Sequence, residues 1–258
     1  MTVERHIAHK TRVPLSARGE ARDTGRRSIK AIKQAIQERV AAGAYPLAER
    51  LPSERFLCTE FKTSRVTLHE ALIQLEAEGL IYREERRGWF VSPRRFVYNP
   101  QSRGHFTQAA RQQGRTPSIA VIDKQIFRPP GRVFDLLQIP YDTEMIRIRR
   151  VRSIDGRPVQ YAEHFYRADA FPGLFEQDLS LSLTDLFSEK YDHRYGHMRY
   201  QITPTSVTGD AATSLRVADG SPALLVLRIS EALNGVRDCD FEYWRHDAIV
   251  LEVDVPGP

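Results

Sequence analysis

Cysteine is nearly absent from this chain of 258 residues. Cys58 and Cys239 are the only two, far apart in sequence, so neither a disulfide framework nor a zinc motif is suggested. Both are expected as buried thiols. No apolar run approaches the ~20 residues of a membrane span. The amino terminus lacks the apolar core of a signal peptide. A cytoplasmic protein with no membrane partner is the expectation. Catalytic signatures are missing too. No Ser-His-Asp order, phosphate loop or metal-ligand spacing stands out, and the eight histidines do not cluster with carboxylates. His193 and His197 stand four apart, but their glycine and aromatic neighbours suggest a loop. An enzyme is therefore disfavoured, and no metal or cofactor is expected.

What is present is uneven charge. The net charge is +5, yet residues 1–98 hold 19 Lys and Arg against 12 Asp and Glu, whereas residues 99–258 hold 19 against 21. The basic part is the one suited to phosphate backbones. Hydrophobic residues make up 41% of the chain, enough to bury a core in one large or two ordinary domains.

The stretch 51–91 organises the basic part. Pro52 and Ser53 set up a helix start, with Ser53 as cap. Phe56, Leu57 and Phe61 follow as one apolar face. Ser64 can cap a second helix, whose candidate buried positions are Val66, Leu68, Leu72, Leu75 and Leu80; Gly79 supplies the stop. Two helices joined by so short a turn cross steeply, as in a helix-turn-helix. Arg65, Thr67 and His69 begin the second helix off its apolar face, where base edges and phosphates are met. Residues 80–82 and 89–91 read as short strands around a basic tip, Arg86-Arg87-Gly88. Upstream, Ile29, Ile32, Ile36 and Val40 predict a helix over 28–42. Residues 1–27 are basic, polar and expected to be disordered. Residues 93–104 read as a linker.

The segments LPSER, SRVTLHEAL, LEAEGLI and RGWFV resemble the winged helix-turn-helix domain of the GntR family of bacterial transcription regulators. The resemblance covers residues 28–92. It implies DNA contacts by Arg55, Arg65 and Thr67, with His69 where Arg is usual and Arg86 where glycine is usual. Arg87 and Gly88 complete the expected DNA-binding set. Trp89 is expected to pack under the wing.

Residues 105–258 read as a second, mixed α+β domain with a mainly antiparallel sheet. Predicted helices cover 106–113, 130–138, 183–190 and 210–217. Predicted strands include 118–127, 198–207, 224–233 and 240–244. In the strand before the Asp155-Gly156 turn, alternation places Ile146, Ile148, Arg150 and Arg152 on one face. Two arginines thus continue an apolar face, and a partly buried Arg needs an anion or acceptor, unless the strand simply leaves the core there. Ser182 can cap the helix at 183, and a capped helix start suits anions.

The order of elements, with RRVRSIDGRPVQYAEHFYRADAF, SLTDLF and LNGVRDCDFEYWRHD, resembles the UTRA effector domain of HutC-type GntR regulators, a fold of chorismate-lyase type. The resemblance implies a phosphate-binding set of His105, Arg150, Arg152 and Ser182. Glu163, Tyr243 and Asp238 are candidates for the ligand's polar end. The linker and HFTQAARQQGR also look like phosphonate-utilisation regulators of this subfamily. The whole reading is a homodimeric DNA-binding regulator, a repressor by expectation. Its operator affinity would be set by a small anionic metabolite, a phosphate ester or phosphonate being favoured. The alternatives are a carboxylate effector, such as a histidine-pathway acid, or a lyase-like enzyme.

Overall fold

A computed structural model describes residues 28–100 and 106–254. The tail 1–27 and His105 lie outside the described residues.

The first unit is built on three helices. α1 (Ile29–Ala41) starts where the Ser28 hydroxyl accepts from the Ala31 amide, and it buries Ile32 and Ile36. α2 (Glu54–Glu60) and α3 (Arg65–Ala77) are capped in the same way by Ser53 and Ser64. A hydroxyl at this position satisfies one of the orphan amides of the first turn, which fixes where each helix begins. The core joins Ile32, Ile36, Leu57, Phe61, Leu68, Leu72 and Leu75.

Two expected core residues are outside it. Phe56 is 56% and Val66 80% exposed. α2 buries the i, i+4 pair Leu57 and Phe61, and Phe56 lies off that stripe. On α3 the buried row is Leu68, Ala71, Leu72 and Leu75; Val66, two residues before Leu68, points away from it. Cys58 is only half-buried, unlike Cys239. Gly79, at φ +77°, turns the chain into the antiparallel wing strands β1 (Ile81–Glu84) and β2 (Gly88–Val91). Trp89 packs into the helical core, as expected of it.

Part of the expected linker is a strand. β3 (Phe96–Tyr98) pairs in parallel with β10 (Ile249–Leu251), near the far end of the chain. Phe96 packs on Trp244 and Phe106 there. After α4 (Phe106–Gln112) comes β4 (Pro117–Phe127), then α5 (Gly131–Leu137), β5 (Met145–Ile154) and β6 (Arg157–Arg167). α6 (Leu183–Tyr191), β7 (Tyr195–Val207), α7 (Gly209–Leu215), β8 (Ser221–Ala232) and β9 (Arg237–Arg245) follow. The six long strands form one antiparallel sheet in the order β4-β5-β6-β9-β8-β7. The α+β expectation therefore holds. α7 ends two residues before the predicted limit, because Arg216 takes up a left-handed conformation at φ +57°.

Strand register decides which side chains meet. Arg150 lies opposite Ala162, His164 opposite Asp240, and Asp240 opposite Arg228. These residues, with Arg152 and Glu242, share one face. The other face carries Val151, Tyr161, Glu163, Phe165, Phe241 and Tyr243, since successive side chains alternate. α5 and α7 pack on that second face.

Candidate nucleic-acid interface and effector cavity

The start of α3 is open to solvent. Arg65 is exposed, as is Arg55 on α2. The Thr67 hydroxyl lies 2.8 Å from that of Ser64, inside the cap. His69 sits 3.9 Å from Glu54 and edge-on to Trp89, whose indole N–H donates to Glu54 at 2.8 Å. At the wing tip, Arg86 is left-handed at φ +60° and its side chain 91% exposed. Arg87 pairs with Glu84. Gly88 has φ +98°, and a Cβ there would come within 3.2 Å of the Arg50 guanidinium. Six expected DNA-facing residues are thus distributed over α2, the start of α3 and the wing. Arg50, not singled out from sequence, lies across the wing tip beside them.

The second unit encloses a cavity of ≈ 270 Å³ between the charged sheet face, α6 and the β3 segment. Arg150, Arg152 and Ser182 all line it, as expected; Glu163 and Tyr243 do not. Parity explains the correction. Glu163 neighbours Arg149 in register and bonds it at 2.8 Å on the opposite face, and Tyr243 stacks near Tyr161 there. Asp238 is on the cavity side, buried beneath His193 at 3.3 Å. His193 lies in a loop, as expected, and is a buried polar residue of the cavity wall, whereas His197, expected in the same loop, belongs to β7.

Arg150 is more committed than an open ligand-binding arginine. Its Nε donates to His164 Nε2 at 3.1 Å, and its Nη1 donates to the carbonyls of Leu179 and Leu181 at 3.3 and 3.0 Å. It therefore ties down the loop that leads into Ser182. Burial, with Arg152 nearby, pushes its guanidinium down to about 10. His164 must accept from Arg150 through Nε2, so its proton resides on Nδ1, which faces Asp240 at 2.5 Å. Burial accordingly lowers His164 to about 4, outweighing the attraction of Asp240. Burial pushes Asp240 up, but Arg228 and His164 hold it below the usual carboxylate range. Burial raises Asp238 to about 6.

Arg152 has spare capacity. Its one side-chain hydrogen bond among the described residues is a 3.5 Å contact with Glu242, and its buried Nε has no hydrogen-bond partner. Glu242 is nearly fully buried, yet meets Arg152, Tyr98 and Trp244 at 3.5, 3.5 and 3.2 Å, all long. A buried carboxylate with only long contacts can accept a further donor. Ser182 caps α6 by accepting from the Asp185 amide at 3.3 Å, so the positive end of a nine-residue helix opens on the same space.

Arg228 and Glu242 were not found by sequence reading, although a signal existed. Leu224, Val226 and Arg228 repeat the pattern of an apolar face ending in arginine. Asp238, Asp240 and Glu242 place acids at every second position of one strand.

A helical head with a basic wing, joined to a sheet domain that holds a charged cavity, defines a two-part architecture with a DNA reader at one end. Residues 28–91 match the bacterial regulatory proteins of the gntR family, and residues 112–249 match the UTRA domain. The chain belongs to the GntR family, in its UTRA-containing branch. It is 32% identical over 208 residues to the HTH-type transcriptional regulator YihL of Escherichia coli (strain K12), spanning 80% of this chain and 88% of that one. It is 28% identical over 185 residues to the HTH-type transcriptional repressor NagR of Bacillus subtilis (strain 168), spanning 72% and 76%. The fold is shared with the crystal structure of PhnF from Mycobacterium smegmatis, at a TM-score of 0.62 and 19% identity, covering 88% of this chain and all of that one. The protein is a DNA-binding transcription regulator, not an enzyme. No described helix is long and apolar enough to cross a membrane.

Proposed function

We propose that the protein is a homodimeric repressor whose operator affinity is set by a small anionic metabolite bound in the second domain. The observation that carries this reading is the convergence of Arg150, Arg152, Arg228 and the capped start of α6 on one cleft. Arginine pairs suit the tetrahedral or planar oxygens of phosphate, phosphonate or carboxylate. Glu242 adds a preference. A ligand bearing a hydroxyl or ammonium group could donate to it while its anionic end meets α6. That favours a phosphate ester or aminophosphonate over bare phosphate, and over a simple carboxylate.

Arg55, Arg65, Thr67, His69, Arg87 and Gly88 are assigned to the operator, with Arg65 as the leading contact. Two heads reading a two-fold site would be rearranged when the ligand prefers one head arrangement. Changing a 99% occupied state to 1% requires about 5.5 kcal/mol of differential affinity.

A thermal-shift screen tests the sensor half. Phosphosugars, aminophosphonates, inorganic phosphate and histidine-pathway acids would be compared, because binding to the native state raises the melting temperature by mass action. A stabilising phosphorylated or phosphonate compound whose effect disappears in Arg152→Met supports the assignment. Stabilisation that survives in Arg152→Met would place the ligand elsewhere. For the reader half, Arg65→Ala should weaken operator retardation by about 1–3 kcal/mol, roughly fivefold to 150-fold. Unchanged affinity would remove Arg65 from the interface.

A further inference from the structure

The wing has two faces, and only one belongs to the head. In β1 and β2 the pairs Ile81–Val91 and Arg83–Trp89 face the helices, and Ile81, Trp89 and Val91 join their core. The alternate pair Tyr82–Phe90 and the side chain of Glu84 lie on the other face. In a head standing alone that face would be wet. Here Tyr82 is 3% and Glu84 2% exposed, because the second domain covers them.

The covering residues form a clamp. The Tyr82 ring meets two guanidinium groups, that of Arg157 at 3.5 Å and that of Arg245 at 5.2 Å from its centre. Both arginines are anchored on the buried Asp247. Arg157 reaches it at 2.7 Å, and Arg245 binds it with two nitrogens at 3.0 and 2.9 Å. Arg245 also donates to the Arg83 carbonyl at 3.4 Å. One turn further along the wing, the Glu85 amide donates to the Arg216 carbonyl at 3.0 Å, and the Arg216 side chain stands 3.9 Å from Glu84. The Arg216 carbonyl is presented by the left-handed residue that ends α7.

We propose that this rear face of the wing is a docking surface for the protein's own second domain, and that the Arg157–Tyr82–Arg245 clamp fixes the orientation of the DNA-reading head. The clamp presents the reading face rather than hiding it. It takes hold of the back of the wing, while Arg55, Arg65 and Arg86 remain exposed. The contact is also made to be broken. Beside it lies a cleft of ≈ 400 Å³ between the two units, lined on one side by Ile73, Glu76 and Ala77 of α3. An interface that is polar and gapped holds two domains less firmly than a packed apolar core. A cation over an aromatic face is directional and strengthens when desolvated, so a few residues set the docked orientation.

The position of the clamp links it to the sensor. Arg157 follows Arg152 across the β5–β6 turn, and Arg245 follows Glu242 by three residues along β9. The loose Arg152–Glu242 pair and the clamp therefore occupy the same two stretches of chain. The docking proposal itself stands without a ligand and without the assignment of the cavity.

Hydrogen exchange read by mass spectrometry on the full chain tests it, with the Glu85 amide as reporter of docking. Tyr82→Phe keeps the ring and should exchange like the wild type. Tyr82→Leu should speed exchange at Glu85 by about tenfold, as expected for loss of the ring contacts, while α3 keeps its protection. Arg245→Met lies outside the head and should speed the same amide. The proposal is overturned if Glu85 exchanges at the wild-type rate in Tyr82→Leu. It is equally overturned if α3 loses protection in step with Glu85, because Tyr82 would then serve only the stability of the head.

Discussion

Replacing Arg150 should do more damage than replacing Arg152, although both arginines occupy one face of one strand. Arg150→Met removes three charge-assisted hydrogen bonds, to His164, Leu179 and Leu181. Each such bond contributes about 1.5–3 kcal/mol, but Met fills much of the volume and the burial penalty of the cation disappears. A net loss of about 3 kcal/mol is the reasoned figure. In a chain of this size each kcal/mol moves the melting temperature by about 2–4 °C, so a drop of about 6–12 °C is expected. Arg152→Met breaks a 3.5 Å contact with Glu242 and a cation–π contact with Phe106, both weaker than the three bonds of Arg150, and removes an unpartnered Nε. It should leave the melting temperature within about 2 °C of the wild type. Circular dichroism during a thermal ramp measures both, provided unfolding is reversible. If Arg150→Met melts with the wild type, the loop at 179–182 is not held by Arg150, and its assignment as a scaffold of the cavity is wrong. The practical consequence is that Arg152, not Arg150, is the residue to change when ligand binding alone is to be removed.

Four further outcomes are expected. Ser182→Ala should cost about 1 kcal/mol through loss of a helix cap, and should weaken any anion stabilised in the thermal screen. Glu163→Gln and Tyr243→Phe, on the far face of the sheet, should leave that stabilisation unchanged in the same screen. Acidification should destabilise the fold through His164: its folded value lies near 4, below the ordinary 6.5, so the unfolded chain binds more protons between them, and stability present above pH 6.5 is lost as the pH falls towards 4. His164→Gln should flatten that part of a urea-denaturation profile taken against pH. Arg86→Gly should relieve a left-handed arginine, which costs about 1–2 kcal/mol, while reducing the salt dependence of operator binding by about one phosphate contact.

Much of this architecture was legible in the sequence because local rules and global fold agree. Ser53, Ser64 and Ser182 were readable as caps from spacing alone, and each makes its cap bond; Ser28, read as the first helical residue, turns out to be a cap as well. The face shared by Ile146, Ile148, Arg150 and Arg152 follows from alternation, and three neighbouring strands preserve it. What failed depended on pairing between distant segments. Glu163 and Tyr243 were candidates by family resemblance, but register with Arg149 and Tyr161 shows that they face away. Helix ends hid Phe56 and Val66, where one or two residues decide between core and solvent. β3 was unreadable for the same reason as most short parallel strands: its partner lies some 150 residues downstream.

That pairing has a consequence for synthesis. The head is the first described unit to leave the ribosome, and its core draws only on residues up to Val91. The strand that secures the segment behind it, Ile249–Leu251, is made after every other described strand. Domains fold as units in the order they emerge. Throughout translation of the second domain, a folded basic head would trail on an unsecured tether, able to touch DNA with no sensor governing it. Docking of that segment would wait for Ile249–Leu251, and a chain truncated just before Ile249 would carry a DNA-binding head whose tether is never secured.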